Sequence, residues 1–137
     1  MELKKITSFS RLTFELNNLG RFTENAPCCA ASYAGKEILD FLYDELVDMG
    51  NHNQYSSSGK LMEVVVQPTK VMVRSFHKSG TTHIKSFECD DRLHVEMLSL
   101  VASIPSIYHS IRVVPEFNFV PQSERTVSYF LEYNTPR

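Results

Sequence analysis

Apolar residues recur along this chain with two different periods, and the switches between them mark out its elements. From Gly35 to Gly50, Ile38, Leu39, Leu42, Leu46 and Met49 fall on one face of a helix at about 100° per residue. From Asp91 to Ile104, Leu93, Met97, Leu100, Val101 and Ile104 do the same, with Asp90 or Asp91 as the N-cap and Pro105 ending the pattern. Between these helices, Lys60 to Val66, Thr69 to His77 and Thr81 to Cys89 read as strands; Ser110 to Phe119 and Arg125 to Tyr133 follow. The predicted order is α-β-β-β-α-β-β. It implies an α+β domain over residues 35–137, two helices packed on a mainly antiparallel sheet.

Residues 1–34 read as an arm ahead of that domain. Leu12, Phe14 and Leu16 alternate with Arg11, Thr13 and Glu15, which predicts a strand over Arg11 to Leu16. Asn17-Asn18-Leu19-Gly20 is turn chemistry, and Arg21-Phe22-Thr23 would return as a short partner strand to make a hairpin. Set apart by Pro27-Cys28-Cys29, such an arm would reach a neighbouring sheet edge, with Leu12 and Phe14 as contact residues; the alternative is that Phe14 and Phe22 complete the domain's own core. The stretch NHNQYSSSG, Asn51 to Gly59, is too polar to build a core and reads as a loop.

Finer patterning adds constraints. Val64-Val65-Val66 and Val71-Met72-Val73 put apolar groups on both strand faces, so part of the sheet is expected to be covered on both sides. Ser79-Gly80 suits a hairpin across Lys78 to Thr82, and Pro115 assigns its strand to an edge or a bulge. In the last strand Val127, Tyr129, Leu131 and Tyr133 point one way and Phe130 the other. Val95, Leu98 and Ala102 extend the apolar surface of the second helix to another side, which asks for a second neighbour.

Composition narrows the class. At 137 residues, 42% hydrophobic and 22% charged, the chain has one soluble globular domain's worth of material, and no apolar run approaches the ~20 residues of a membrane span. Met1 to Ser10 lacks the apolar stretch of a secretory leader. Three cysteines, two of them adjacent at Cys28 and Cys29, suit a reducing compartment better than a disulfide framework. A net charge of -2 gives no broad attraction to nucleic acid or anionic membrane.

Chemistry has few candidates. His77 and His83 flank the predicted hairpin, with Cys89 and His94 beyond them, but H-x5-H-x5-C-x4-H matches no standard zinc spacing. A one-residue slip in hairpin register would also send the two histidines to opposite faces. Cys28-Cys29 offers a thiolate without an identifiable base. Ser57-Ser58-Gly59-Lys60 and Lys78-Ser79-Gly80-Thr81 lack the full phosphate-loop pattern, and Asp90-Asp91 is explained by helix capping. The expectation is a non-enzymatic protein with no cofactor and no metal. Its class alternatives are a zinc or cysteine enzyme built on the His/Cys group and, third, a nucleic-acid-binding module.

What remains is surface. Glu37, Asp40, Asp44 and Asp48 form an acidic stripe opposite the apolar face of the first helix, and its i,i+4 members repel. As a docking face it would meet a basic partner; otherwise it is a solvated face, the commoner use of such charge.

Two family resemblances bear on these readings. The central α-β-β-β-α order over Gly35 to Ile104 resembles the double-stranded RNA-binding domain. That family meets phosphates with a basic start to its second helix, whereas Cys89-Asp90-Asp91-Arg92 puts acid there. More of the chain, Gly35 to Tyr133, looks like bacteriophage tail-terminator or tail-completion proteins: the same element order, Ala102-Ser103-Ile104-Pro105 leading to two closing strands, and the alternating end Val127-Ser128-Tyr129-Phe130-Leu131-Glu132-Tyr133. That resemblance implies a small assembly protein forming a ring at the end of a tail tube, located in the cytoplasm or in a virion, with a protein partner or further copies of itself as the contact.

Overall fold

The computed structural model describes residues 9–25, 33–116 and 126–134. The expectations placed on residues 1–8, on Pro27, Cys28 and Cys29, and on the strand ends at Phe119 and Arg125 lie outside the described residues. Helices α1 (Ser10–Leu19), α2 (Phe22–Asn25) and α3 (Tyr33–Asn51) precede strands β1 (Lys60–Val66), β2 (Lys70–Phe76) and β3 (Thr82–Glu88). Helix α4 (Asp91–Ile107) and strands β4 (Ile111–Pro115) and β5 (Val127–Tyr133) complete the order. The strands form one sheet, β3-β2-β1-β5-β4, in which every neighbouring pair is antiparallel. The fold is α+β, and from α3 onward the order is the one the periodicities predict.

The two periods explain the layers. Ile38, Leu39, Leu42, Leu46 and Met49 of α3, and Leu93, Met97, Leu100, Val101 and Ile104 of α4, are all buried in one core. They meet the sheet face carrying Met62, Val64 and Val66, where Val64 lies between Val73 and Tyr129 in register. Asp90 caps α4, its Oδ1 accepting from the Leu93 amide at 2.8 Å. Central β1 is buried from Leu61 to Val66, so Val65 and Glu63 are covered on the reverse face as well. The Phe76 and Phe130 rings meet on that reverse face, 6.3 Å apart. Val95 on the second side of α4 stays 65% exposed.

Three expectations need correction. Arg11 to Leu16 is part of helix α1, not a strand, and Arg21 to Thr23 leads into helix α2 rather than returning as a partner strand. Leu12 and Leu16 are four residues apart, a spacing that suits both periods. Phe14, which only the strand pattern sets beside them, is 63% exposed, while Leu12 at 0% and Leu16 at 2% enter the domain core together with Phe22. The asparagines read as a turn lie inside the helix, where Asn18 Nδ2 donates to the Phe14 carbonyl at 2.8 Å. Gly20, at φ 76°, makes the break instead. Last, α4 continues through Pro105 to Ile107. In the final turn the missing proline amide removes a single helix bond, and burial of Ile104 and Tyr108 holds the turn in place.

Candidate functional site

Glu45 interrupts the apolar stripe of α3, seven residues after Ile38 and four before Met49, and its carboxylate therefore points at the sheet. Opposite it, the β2-β3 register pairs Ser75 with His83. His77 follows Ser75 by two residues, so alternation puts all three on the helix-facing side. The hairpin is closed at His77, whose amide donates to the Thr81 carbonyl at 3.1 Å, and Gly80 at φ 89° supplies its left-handed residue. A second anchor comes from the loop after α3. Tyr55 is bridged to His77, and its hydroxyl donates to the Leu46 carbonyl at 2.9 Å. Burial pushes the Tyr55 phenol up to about 12.

The result is a compact polar cluster. Glu45 Oε1 lies 3.0 Å from His83 Nδ1, 3.7 Å from His77 Nε2 and 2.7 Å from the Ser75 hydroxyl that donates to it. Ser75 Oγ also lies 3.3 Å from His77 Nε2, with the direction of that bond set by the imidazole tautomer. The two imidazole rings are 4.2 Å apart. Side-chain exposure is 7% for His77 and 15% for Glu45 but 53% for His83, so the cluster opens to solvent on the His83 side.

The histidine pair suggested by the sequence thus comes together, with a different third member. Among the described residues Glu45, His77 and His83 are the group able to converge on a metal ion, and Cys89 and His94 are not part of it. Cys89 instead lines a shallow cleft with Glu37, Asp90 and Arg92. Sequence reasoning misses Glu45 because it passes for one more helix charge; its place on the apolar stripe is the signal that sets it apart.

The acidic stripe is partly used within the chain. Arg21 bridges Asp44 at 3.0 Å and Asp40 at 3.5 Å, and the Thr23 hydroxyl donates to Asp40 at 3.2 Å. His52 stands 3.3 Å from Asp48, while Glu37 is exposed. Leu12 and Phe14, expected to act together at a contact, are separated: one is core and the other is surface.

Strand β3 is the other notable surface. It is a sheet edge on which every residue but Phe87 is exposed, Ile84 at 57%. The ladder bonds from His77 to Thr81 and from Cys89 to Thr69 set its phase. Odd-numbered residues of β3 bond to β2, and the amides of Thr82, Ile84, Ser86 and Glu88 point away from the sheet. The opposite edge, β4, is shorter and ends at Pro115. Among the described residues no helix is long and apolar enough to cross a membrane. Comparison with protein-family models, with curated proteins and with solved structures gave no match.

Proposed function

We propose that this chain is an assembly or adaptor protein that docks an extended segment of a protein partner against the free edge of β3. The observation that carries the reading is that edge: seven residues long, exposed on both faces, with outward amides at Ile84 and Ser86. Charge selects the occupant. Lys85 sits at the middle of β3, so antiparallel pairing of two copies about the strand centre would set Lys85 against Lys85, which is unfavourable. The better occupant is a strand of another protein with an acidic residue to meet Lys85. A ring of identical copies, as the tail-protein resemblance implies, would join β3 of one copy to β4 of the next, where Pro115 has no amide to offer.

Ser86→Pro removes an outward donor while leaving the bonds to β2 in place. The test compares wild type and Ser86→Pro for partners recovered from the native source, for cross-links mapped onto Thr82 to Glu88, and for native mass by light scattering. Partner loss in Ser86→Pro, with wild-type cross-links on β3, supports the reading. A partner held equally by both proteins, a wild type recovered from the native source without any partner, or a homo-oligomer insensitive to Ser86→Pro overturns it.

A further inference from the structure

We propose that Glu45, His77 and His83 form a binding site for a divalent transition metal of the zinc class, with three protein ligands and a fourth position open on the His83 side. This does not depend on strand docking at β3. Two imidazoles and one carboxylate are a donor set that zinc accepts with a fourth site left for water or a substrate atom. Bond lengths of ~2.0 to 2.1 Å in a tetrahedron place ligand atoms about 3.3 Å from one another. Glu45 Oε1 is already 3.0 Å from His83 Nδ1 and 3.7 Å from His77 Nε2, and all three donor atoms lie within 4.8 Å of one another. Small rotations of the side chains complete the geometry.

The surroundings favour a defined site over a chance meeting of surface groups. The ligands come from α3, the end of β2 and β3, three elements fixed relative to one another by the core and the hairpin ladder. Ser75, fully buried, donates to Glu45 Oε1 and so helps to fix the carboxylate, as outer partners of metal ligands do. The exposed face at His83 gives an entry path. Hydrogen bonding alone would also hold Glu45, Ser75 and His83 together, and the experiment separates the two cases.

Full-length protein freed of metal with a chelator is titrated with Zn2+ by calorimetry, and with Co2+ to read the absorption of a tetrahedral centre. One equivalent should bind. Loss of a direct ligand should cost at least the 10- to 100-fold seen when an outer partner is lost, so Glu45→Gln and His83→Ala should each weaken binding by about a hundredfold or more. His52→Ala and His109→Ala, at exposed histidines elsewhere, should leave it unchanged. His83 is exposed, so His83→Ala keeps the fold, which circular dichroism checks. Absence of saturable binding, or binding undiminished in His83→Ala and Glu45→Gln, overturns the site. A metal that instead follows Cys28→Ser or Cys29→Ser does the same.

Discussion

Glu15 and Ser110 meet inside the protein although they are far apart in the chain: the Ser110 amide donates to Glu15 Oε1 at 2.9 Å and the Ser110 hydroxyl to the same atom at 2.5 Å. Two further bonds run between the N-terminal segment and the body, from the Tyr43 hydroxyl to the Leu16 carbonyl at 2.9 Å and from the Tyr108 hydroxyl to the Gly20 carbonyl at 2.5 Å. Helix α1 is therefore tied to its own domain by packing, through Leu12 and Leu16, and by hydrogen bonds, through Glu15. Glu15→Ala should cost about 2 to 3 kcal/mol, because hydrogen bonds to a charged group are lost and the Ser110 donors are left buried without an acceptor. Leu12→Ala, at 0% exposure, should cost about 2 to 5 kcal/mol. Urea unfolding of the two variants measures both; changes below about 0.5 kcal/mol would mean that α1 detaches readily in solution.

Phe14 gives the matching control. It is 63% exposed on the same helix, so Phe14→Ser should shift stability by less than about 0.5 kcal/mol. If Phe14 takes part in a contact with a partner, the substitution will show itself in native mass or partner recovery, with the urea midpoint unchanged.

The body of the fold was readable from the sequence because its helices are long and its apolar stripes unambiguous. The residues assigned to the α3 and α4 faces are the residues that are buried, and β1 spans Lys60–Val66 as expected, ending with its run of three valines. The N-terminal segment was not readable for a local reason. Leu12 and Leu16 satisfy a helix and a strand equally, and Phe14, an exposed aromatic, tipped the pattern toward the wrong period. For the polar cluster, the sequence supplied His77 and His83, but the carboxylate comes from a distant element, and only the packing of α3 on β2 and β3 selects Glu45 from its neighbours.

The acidic stripe now carries a stability prediction. Asp40→Lys with Asp44→Lys removes both ion pairs of Arg21 and puts like charges beside it. These groups are well exposed, so the loss should be about 1 kcal/mol or less and should shrink in high salt. An association defect in the double variant that persists after matching for stability would restore the stripe as a docking face.

On the reverse face of the sheet, Glu63 Oε1 accepts from Arg74 at 2.9 Å, and Glu116, which accepts from the Ser128 hydroxyl, is near enough to act on the Glu63 carboxyl. Burial raises the Glu63 pKa above its ordinary 4.5, and the neighbouring Glu116 raises it further against the opposing pull of Arg74. The folded chain then binds this proton more tightly than the unfolded one. The resulting stability is fully present below about 4.5 and is lost as pH rises through the elevated folded value. Glu63→Gln removes the titration, so the unfolding free energy of the variant relative to wild type should improve as pH is raised across that window. A difference that stays constant with pH would place the Glu63 pKa at its ordinary value.

Gly50, near the end of α3, should behave against its propensity. Replacing a helical glycine by alanine ordinarily gains about 1 kcal/mol. Here a Cβ on Gly50 would lie 2.6 Å from the Tyr55 hydroxyl and 3.2 Å from the carbon that bears it. That ring cannot swing away cheaply, because it is 5% exposed, donates to the Leu46 carbonyl at 2.9 Å and packs on Phe9 with centroids 4.9 Å apart. Overpacking of this kind costs about 1 to 3 kcal/mol, enough to cancel or reverse the helix gain. Gly50→Ala should therefore be neutral to destabilising in the full chain, whereas Gly50→Ala combined with Tyr55→Phe should recover part of the loss by removing the clashing oxygen. Urea unfolding of the single and double variants reads the coupling directly, and a Gly50→Ala chain more stable than wild type by about 1 kcal/mol would show that Tyr55 does not hold this position against the helix.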